Sequence, residues 1–169
     1  MYQTLFGDEN RIWVDFDSIP KNLREATIAI EDKRFESHHG VDWHGTVRAV
    51  FRTLTKGNTQ GGSTITQQLA KNANPPARRN LWTKAREFFQ ARRMEMSMSK
   101  EEILESYFNR LDYGNLRRGP AAAARFYFGR EMARLSLAEC ALLAGLPQGP
   151  SFLNPLRHPE RALERRNRV

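Results

Sequence analysis

The sequence has a single cysteine, no long apolar run and, over about a quarter of its length, no acidic residue. Cys140 is the one cysteine among 169 residues, so no disulfide can form within the chain. It lies in the apolar run 138–146, broken only by Glu139, and is expected to be buried as a small apolar residue. No apolar run approaches the roughly 18 residues that span a bilayer, and the N-terminus lacks a signal-peptide pattern.

The acidic residues are missing from the stretch between Trp43 and Arg86. The chain as a whole has 27 Lys and Arg against 19 Asp and Glu, a formal net charge of +8, and 40% hydrophobic residues. That composition suits one globular domain with a real core and an anionic partner. The acid-free stretch carries eight cations, as many as the net charge: Arg48, Arg52, Lys56, Lys71, Arg78, Arg79, Lys84 and Arg86.

A stretch rich in glycine and hydroxyl residues, from Gly61 to Asn72, lies inside this basic block. Thr64 can cap a helix while Gln67, three residues on, closes a capping box, so a helix is predicted to begin here. Its exposed N–H groups, its dipole and Lys71 two turns along suit an anion. An ordinary capped helix with a solvated polar face explains the same spacing.

An amphipathic helix is predicted from Trp43 to Leu54, because apolar residues recur at helical spacing opposite His44, Arg48 and Arg52. Such a helix can simply pack on the core. It can also dip its aromatic face into lipid while its arginines meet anionic headgroups.

The chain as a whole indicates six to eight helices and little sheet. Residues 2–17 have some strand-like character, with weak alternation over Ile12–Phe16, and Pro20 opens a new element. Ser99 with Glu102 and Ser136 with Glu139 form two further capping boxes. The predicted helices are 21–32, 64–72, 83–98, 100–111, 121–128, 138–146 and the segment after 159, with loops at 32–40, 73–80 and 145–159.

Two glutamates stand apart from the surface carboxylates. Glu31 ends the first predicted helix, and Glu87 falls on one helical stripe with Ala91, Met94 and Met98. A carboxylate in line with apolar residues needs a partner unless that edge is solvated. Paired carboxylates supply the acid–base chemistry of glycosyl transfer, and cations stabilise a leaving diphosphate.

Three other functions fit part of these features. A lysozyme-type hydrolase would use two carboxylates in a helical fold but has no use for the uncompensated cations. A nucleic-acid module would explain the cations and Trp43 or Trp82, yet no zinc spacing or RNA-binding signature is present. A metal site on His38 and His39 is disfavoured because adjacent side chains point apart. His44 and His158 are single and are interpreted as structural.

Five ordered motifs resemble those of the bacterial peptidoglycan glycosyltransferases, the transglycosylase domains of class A penicillin-binding proteins and the monofunctional transglycosylases. They are Glu31-Asp32-x-x-Phe35-x-x-His38-x-Gly40, Gly61-Gly62-Ser63-Thr64-x-Thr66-Gln67-Gln68-x-x-Lys71-Asn72, Lys84-x-x-Glu87, Ile103-Leu104-Glu105-x-Tyr107-x-Asn109, and the segment from Ala122 through Tyr127-Phe128-Gly129 to Asn154-Pro155. The resemblance runs from about Ile19 to Val169.

The resemblance implies a mainly α-helical, lysozyme-like fold of two lobes, the smaller of which rests on the membrane. It implies polymerisation of lipid II into β-1,4-linked glycan strands, with undecaprenyl diphosphate as leaving group. Residues 1–169 would form one transglycosylase domain of a larger membrane-anchored protein at the outer, periplasmic or extracellular, face of the bacterial cytoplasmic membrane. The implied partners are lipid II, the growing glycan, the membrane surface and other cell-wall synthesis proteins, and no nucleic acid.

The resemblance also assigns roles to single residues. Glu31 matches the general base and Glu87 the second essential glutamate, which could assist the leaving group or hold a divalent metal, Mg²⁺ or Mn²⁺; no organic cofactor is implied. Thr83 stands where the family usually has Arg. The positions assigned to substrate binding are Asp32, Phe35, His38, Ser63, Thr64, Thr66, Gln67, Gln68, Lys71, Arg79, Lys84 and Asn109.

Overall fold

The protein is mainly α-helical, as the sequence predicts. A computed structural model describes residues 3–6, 9–45, 62–74 and 80–169. Short 3-10 helices cover Phe16–Ser18, Phe35–Ser37, Met132–Arg134 and Leu146–Gln148. The α-helices of the described residues are α1 (Lys21–Glu31), α2 (Ile65–Asn72), α3 (Leu81–Ser97), α4 (Lys100–Arg110), α5 (Pro120–Phe128), α6 (Leu137–Gly145) and α7 (Pro159–Arg168).

The three predicted capping boxes are all present. At the start of α2 the Thr64 hydroxyl accepts from the Gln67 N–H while the Gln67 side chain accepts from the Thr64 N–H. Ser136 and Glu139 make the same reciprocal pair before α6. Ser99 N–H donates to Glu102 Oε2 (2.7 Å), and Glu102 N–H donates to Ser99 Oγ (3.2 Å). These local hydrogen bonds fix where each helix begins.

The N-terminal strand prediction is correct only in part. Strands β1 (Gln3–Phe6) and β2 (Glu9–Ile12) are antiparallel, and β2 pairs in parallel with β3 (Arg117–Arg118). Both β1 and β2 lie within the predicted range 2–17, but β2 ends at Ile12 instead of continuing to Phe16. The reason is a side chain: Asn109 Oδ1 accepts from Val14 N–H (2.9 Å) and Asn109 Nδ2 donates to Val14 O (2.8 Å), so a buried amide replaces a neighbouring strand.

The chain divides into two compact units. The first comprises Met1–Glu31 and Leu104–Val169, and its core includes helix α1 packed on α6 and α6 packed on α7. In α5 the four alanines Ala121–Ala124 are at most 3% exposed, which explains the alanine run. Cys140 is fully buried, as predicted, and burial raises the pKa of its thiol to about 11.

The second unit spans Asp32–Ile103, where α2 packs on α3. Gly40 lets the loop approach α3 closely: its φ is +91°, and a Cβ there would lie 2.9 Å from Ala91 O. Ala91 is itself fully buried. Within the described residues, no helix has both the length and the apolar character needed to cross a membrane.

Replacing Gly40 with alanine should destabilise the protein more than the same change at Gly129. Both glycines have positive φ, but a Cβ at Gly129 would meet nothing within 4 Å. Gly129→Ala should therefore cost about 1 kcal/mol for the backbone alone, and Gly40→Ala about 1–3 kcal/mol more for the overlap with Ala91. Urea unfolding of both variants measures the difference, and equal losses would show that the loop relaxes away from α3.

Candidate active site

The predicted base, Glu31, is the last residue of α1 in the first unit. Arg165 on α7 lies opposite it, with Nη2 3.4 Å from Glu31 Oε1. The side chains are only 13% (Arg165) and 15% (Glu31) exposed. Burial lowers the pKa of the Arg165 guanidinium, and the negative charge of Glu31 opposes that shift. Sequence reasoning missed Arg165, which has no spacing relation to Glu31 that a pattern could reveal.

In the second unit, Asp32 and His38 together hold the start of α2. Asp32 Oδ2 accepts from the Ile65 N–H (3.0 Å) and lies 2.8 Å from His38 Nε2. The Gly40 N–H donates to His38 Nδ1 (3.2 Å), so Nε2 is the nitrogen that donates to Asp32. Asp32 is 6% exposed and His38 5%. These two predicted substrate-binding residues therefore frame the helix in this structure.

Several other predicted substrate-binding residues share this framing role. Thr64 Oγ1 donates to Gly40 O (2.7 Å) while it caps α2 with Gln67, and both residues are buried. Thr66 is fully buried and donates to Glu95 Oε1 (2.6 Å). Phe35 is fully buried as well. The hydroxyls of Thr64 and Thr66 and the Oε1 of Gln67 are therefore engaged within the unit.

Asn109, another predicted substrate-binding residue, binds backbone groups in this structure. It is fully buried in the first unit. Besides pairing with Val14, its Nδ2 donates to Glu105 O (2.8 Å). Both polar atoms of the amide are therefore engaged by backbone groups, and a role of Asn109 in substrate binding stays a prediction.

Two exposed lysines of the second unit, Lys71 and Lys84, lie on α2 and α3. Lys84 Nζ lies 3.0 Å from Ser63 Oγ and 3.0 Å from Glu87 Oε2. Glu87 is 14% exposed, whereas Lys84 is 56% exposed. The expectation that a carboxylate beside buried Ala91 needs a partner is therefore confirmed. Lys71 is exposed on α2, and Gln68 is half-buried there.

Some predictions fall outside the described residues. Arg79 is one of them, and so is the amphipathic helix beyond residue 45, although residues 43–45 are helical.

Thr83, where the family usually has Arg, donates from both N–H (2.7 Å) and Oγ1 (2.8 Å) to Asn80 Oδ1. It therefore completes the N-terminal cap of α3.

The ion pair of Lys100 with Glu95 contacts α2 through Thr66, and it was not identified from the sequence. Lys100 Nζ lies 2.7 Å from Glu95 Oε2, donates to His38 O (2.7 Å) and sits 4.3 Å from the centre of the Phe35 ring. Glu95 is the residue that also accepts from Thr66. Its position eight residues after Glu87, on the same helical face, is the signal that could have revealed it.

The described residues do not assemble a complete protein ligand set for the predicted metal. Among them no group of three or more His, Cys, Asp or Glu could hold an ion. Glu87 is already paired with the Lys84 ammonium.

A cleft of about 490 Å³ lies in the second unit. Trp43 and Phe88 form an aromatic wall, with ring centres 5.6 Å apart, and Arg34 and Arg92 add cations. Of the predicted site residues, His38 lines this cleft. The residues that line the cleft do not include Lys84, Ser63 or Glu87.

The fold and the cation-flanked, capped helix define a mainly helical domain suited to an anionic substrate. A family model described as transglycosylase matches residues 1–169. The chain belongs to this transglycosylase family, which confirms the resemblance seen in the motifs.

The relatives are penicillin-binding proteins. The chain is 47% identical over 165 residues to penicillin-binding protein 1A of Escherichia coli, covering 97% of this chain and 19% of the relative. It is 46% identical over 165 residues to penicillin-binding protein 1A of Vibrio cholerae (97% and 20%) and 44% identical over 162 residues to penicillin-binding protein 1F of Bacillus subtilis (95% and 23%). The chain thus spans about a fifth of the length of these relatives.

A solved structure shares the fold. The crystal structure of penicillin-binding protein 1A from Haemophilus influenzae matches with a TM-score of 0.55 and 28% identity, over 95% of this chain and 14% of that one. The mainly helical prediction is supported by this comparison as well as by the helices themselves.

Removing the Lys100 ammonium should destabilise the protein strongly, because Glu95 is 4% exposed and would be left without its cation. Breaking such a buried pair costs roughly 3–5 kcal/mol. Urea unfolding of Lys100→Met should show a loss of that order, and adding Glu95→Gln should recover part of it. Lys33→Met, at an exposed lysine, is the control. An equal effect of the two lysine substitutions would rule out a stabilising role for the pair.

Proposed function

We propose that this chain polymerises lipid II into β-1,4-linked glycan strands of peptidoglycan, releasing undecaprenyl diphosphate. Membership in the transglycosylase family supports the reaction class. One observation in the structure carries the proposal: Lys84 Nζ is held 3.0 Å from both Ser63 and Glu87. This places an ammonium beside the residue that precedes the Thr64 cap of α2.

The cations of the second unit suit a diphosphate. Lys84 and Lys71 are exposed, so their charges are available to a ligand, and charge-assisted contacts with phosphate are strong. Glu87 orients the Lys84 ammonium through their ion pair. In the reaction these groups stabilise the negative charge that grows on the leaving diphosphate.

Glu31 is the proposed general base. Its carboxylate takes the proton from the 4-hydroxyl of the acceptor's N-acetylglucosamine as that oxygen bonds to the anomeric carbon of the donor's N-acetylmuramic acid. The bond from that carbon to the diphosphate oxygen breaks, and its electron pair leaves with undecaprenyl diphosphate. Attack opposite the leaving group inverts the α linkage to β.

An anionic membrane surface is the proposed partner, on the outer face of the bacterial cytoplasmic membrane. Helix α3 supports it with an exposed stripe: Trp82 is 83% exposed, Phe89 70% and Met96 83%. These residues recur every seven positions, with exposed Arg86 and Arg93 between them. Aromatic residues interleaved with arginine favour the lipid interface. Other cell-wall synthesis proteins are proposed as partners from the family resemblance alone.

The divalent metal stays a prediction. The structure offers Glu87 as one carboxylate ligand, and its pairing with Lys84 would compete with an ion. Polymerisation assayed with Mg²⁺, with Mn²⁺ and with a chelator measures the requirement directly.

Glu31→Gln should abolish polymerisation while the protein stays folded, because it removes the base at nearly constant volume. A general base contributes roughly 100- to 10,000-fold. The assay uses labelled lipid II in detergent with Mg²⁺, and products are separated by size. Glu25→Gln is the matched control on the same helix, since Glu25 is 63% exposed and pairs only loosely with Lys21 at 3.7 Å.

Long glycan from wild type and Glu25→Gln but none from Glu31→Gln supports both the reaction and the base. Substantial product from Glu31→Gln refutes the base assignment. Cleavage of preformed glycan, with no polymer formed, would instead support the lysozyme-type hydrolase.

Lys71→Ala should lower kcat/KM for lipid II by more than about tenfold, because a charge-assisted contact to the diphosphate is lost. The control is Lys33→Ala, at an exposed lysine of the same unit. Equal kcat/KM values for the two variants would remove Lys71 from the donor site.

A further inference from the structure

We propose that Arg165 is a positioning residue for the base: its guanidinium, seated across Gly145, holds and charge-stabilises the Glu31 carboxylate. This inference rests on the proposed role of Glu31 in glycosyl transfer.

The first support is the ion pair and its seclusion. Arg165 Nη2 lies 3.4 Å from Glu31 Oε1, and neither side chain is more than 15% exposed. Charges that are largely withdrawn from water are screened less than surface pairs. The contact also joins residues 134 positions apart, so it depends on the packing of α1, α6 and α7.

The second support is the position of Glu31 on its helix. It is the last residue of α1, where the negative end of the helix dipole disfavours an anion. A base must be ionised before it can accept a proton. A guanidinium at this point offsets the dipole, and the contact of its Nη2 with Oε1 also orients the carboxylate.

The third support is the seat that Gly145 provides. Arg165 Nε donates to Gly145 O (3.4 Å), and a Cβ on Gly145 would lie 2.8 Å from Arg165 Cγ. The backbone of Gly145 has φ −80° and ψ −27°, which any residue adopts. Space for the arginine stem, and not backbone conformation, is therefore what requires glycine here.

The other arginines of α7 have different neighbours. Arg161 stacks on the Phe152 ring at 4.2 Å, Arg166 donates to the adjacent Asn167 (2.8 Å), and Arg168 pairs with Glu164 one turn back. These contacts are local. In the described part of the chain, Arg165 is the arginine of this helix that reaches α1.

The test measures kcat and KM for lipid II in four single variants of the full chain. Arg165→Met removes the charge and keeps a long stem, and it should lower kcat about 10- to 100-fold, as expected for a lost hydrogen bond to a charged group. KM should change less than about threefold, because the substitution affects proton transfer from the acceptor hydroxyl and not the binding of lipid II. Arg165→Lys should recover part of kcat, and Gly145→Ala should lower kcat by displacing the stem.

Arg161→Met is the matched control, because Arg161 is an exposed arginine on the same helix; it should behave as wild type. Thermal melts accompany each variant. If Arg165→Met does not fold, Arg165→Lys and Gly145→Ala decide the question through the same split between kcat and KM. An unchanged kcat in the folded Arg165 variants would overturn the inference. A rise in KM as large as the fall in kcat would overturn it as well.

Glu31→Gln is assayed in parallel so that the two proposals fail separately. An active Glu31→Gln variant refutes the proposed base, and the inference falls with it. An inactive Glu31→Gln variant beside an Arg165→Met variant that matches Arg161→Met refutes only the positioning role. In the double variant, Arg165→Met should cause no further loss beyond that of Glu31→Gln.

Discussion

The second unit depends on one carboxylate. Asp32 accepts a hydrogen bond from the first backbone N–H of α2 and one from His38, while Thr64 ties the cap of the same helix to Gly40 O. An unpaired N–H at a buried helix start would be costly, so these contacts both satisfy the helix and fix its position. Lys71, an exposed lysine of the proposed donor site, lies on the helix whose start this buried anchor holds.

The motif residues consequently divide into two groups. One group is buried, and its polar atoms form hydrogen bonds within the unit. Thr66, for example, donates to Glu95, which in turn pairs with Lys100. The other remains accessible, as Lys71 and Lys84 do. A rigid frame that carries exposed cations is the arrangement expected for charge stabilisation, because prepositioned groups need not reorganise during the reaction. In the first unit a charged group is also held in place by its neighbours, because Arg165 contacts Glu31 there.

The helices were largely predictable because their signals are local. Capping pairs three residues apart, as at Thr64 and Gln67, depend on nothing beyond the segment itself. The strand prediction is correct only in part for the opposite reason: β2 ends at Ile12, because the Asn109 amide, from a distant helix, binds the backbone groups of Val14. The motifs likewise named most candidate site residues, yet their spacing could not distinguish Lys84, which is exposed, from Asn109, which is buried.

By itself, the sequence determined the helical class, the helix starts, the basic character of the middle stretch and the family, since these follow from periodicity, capping, charge and ordered motifs. Only the tertiary structure decided which motif residues face the core and which cations pair with which carboxylates. The pairing of Lys100 with Glu95 was decided in this way, and so was the pairing of Arg165 with Glu31. Such pairings depend on how helices pack across the chain, and the free energy of a charge depends on the burial that this packing creates.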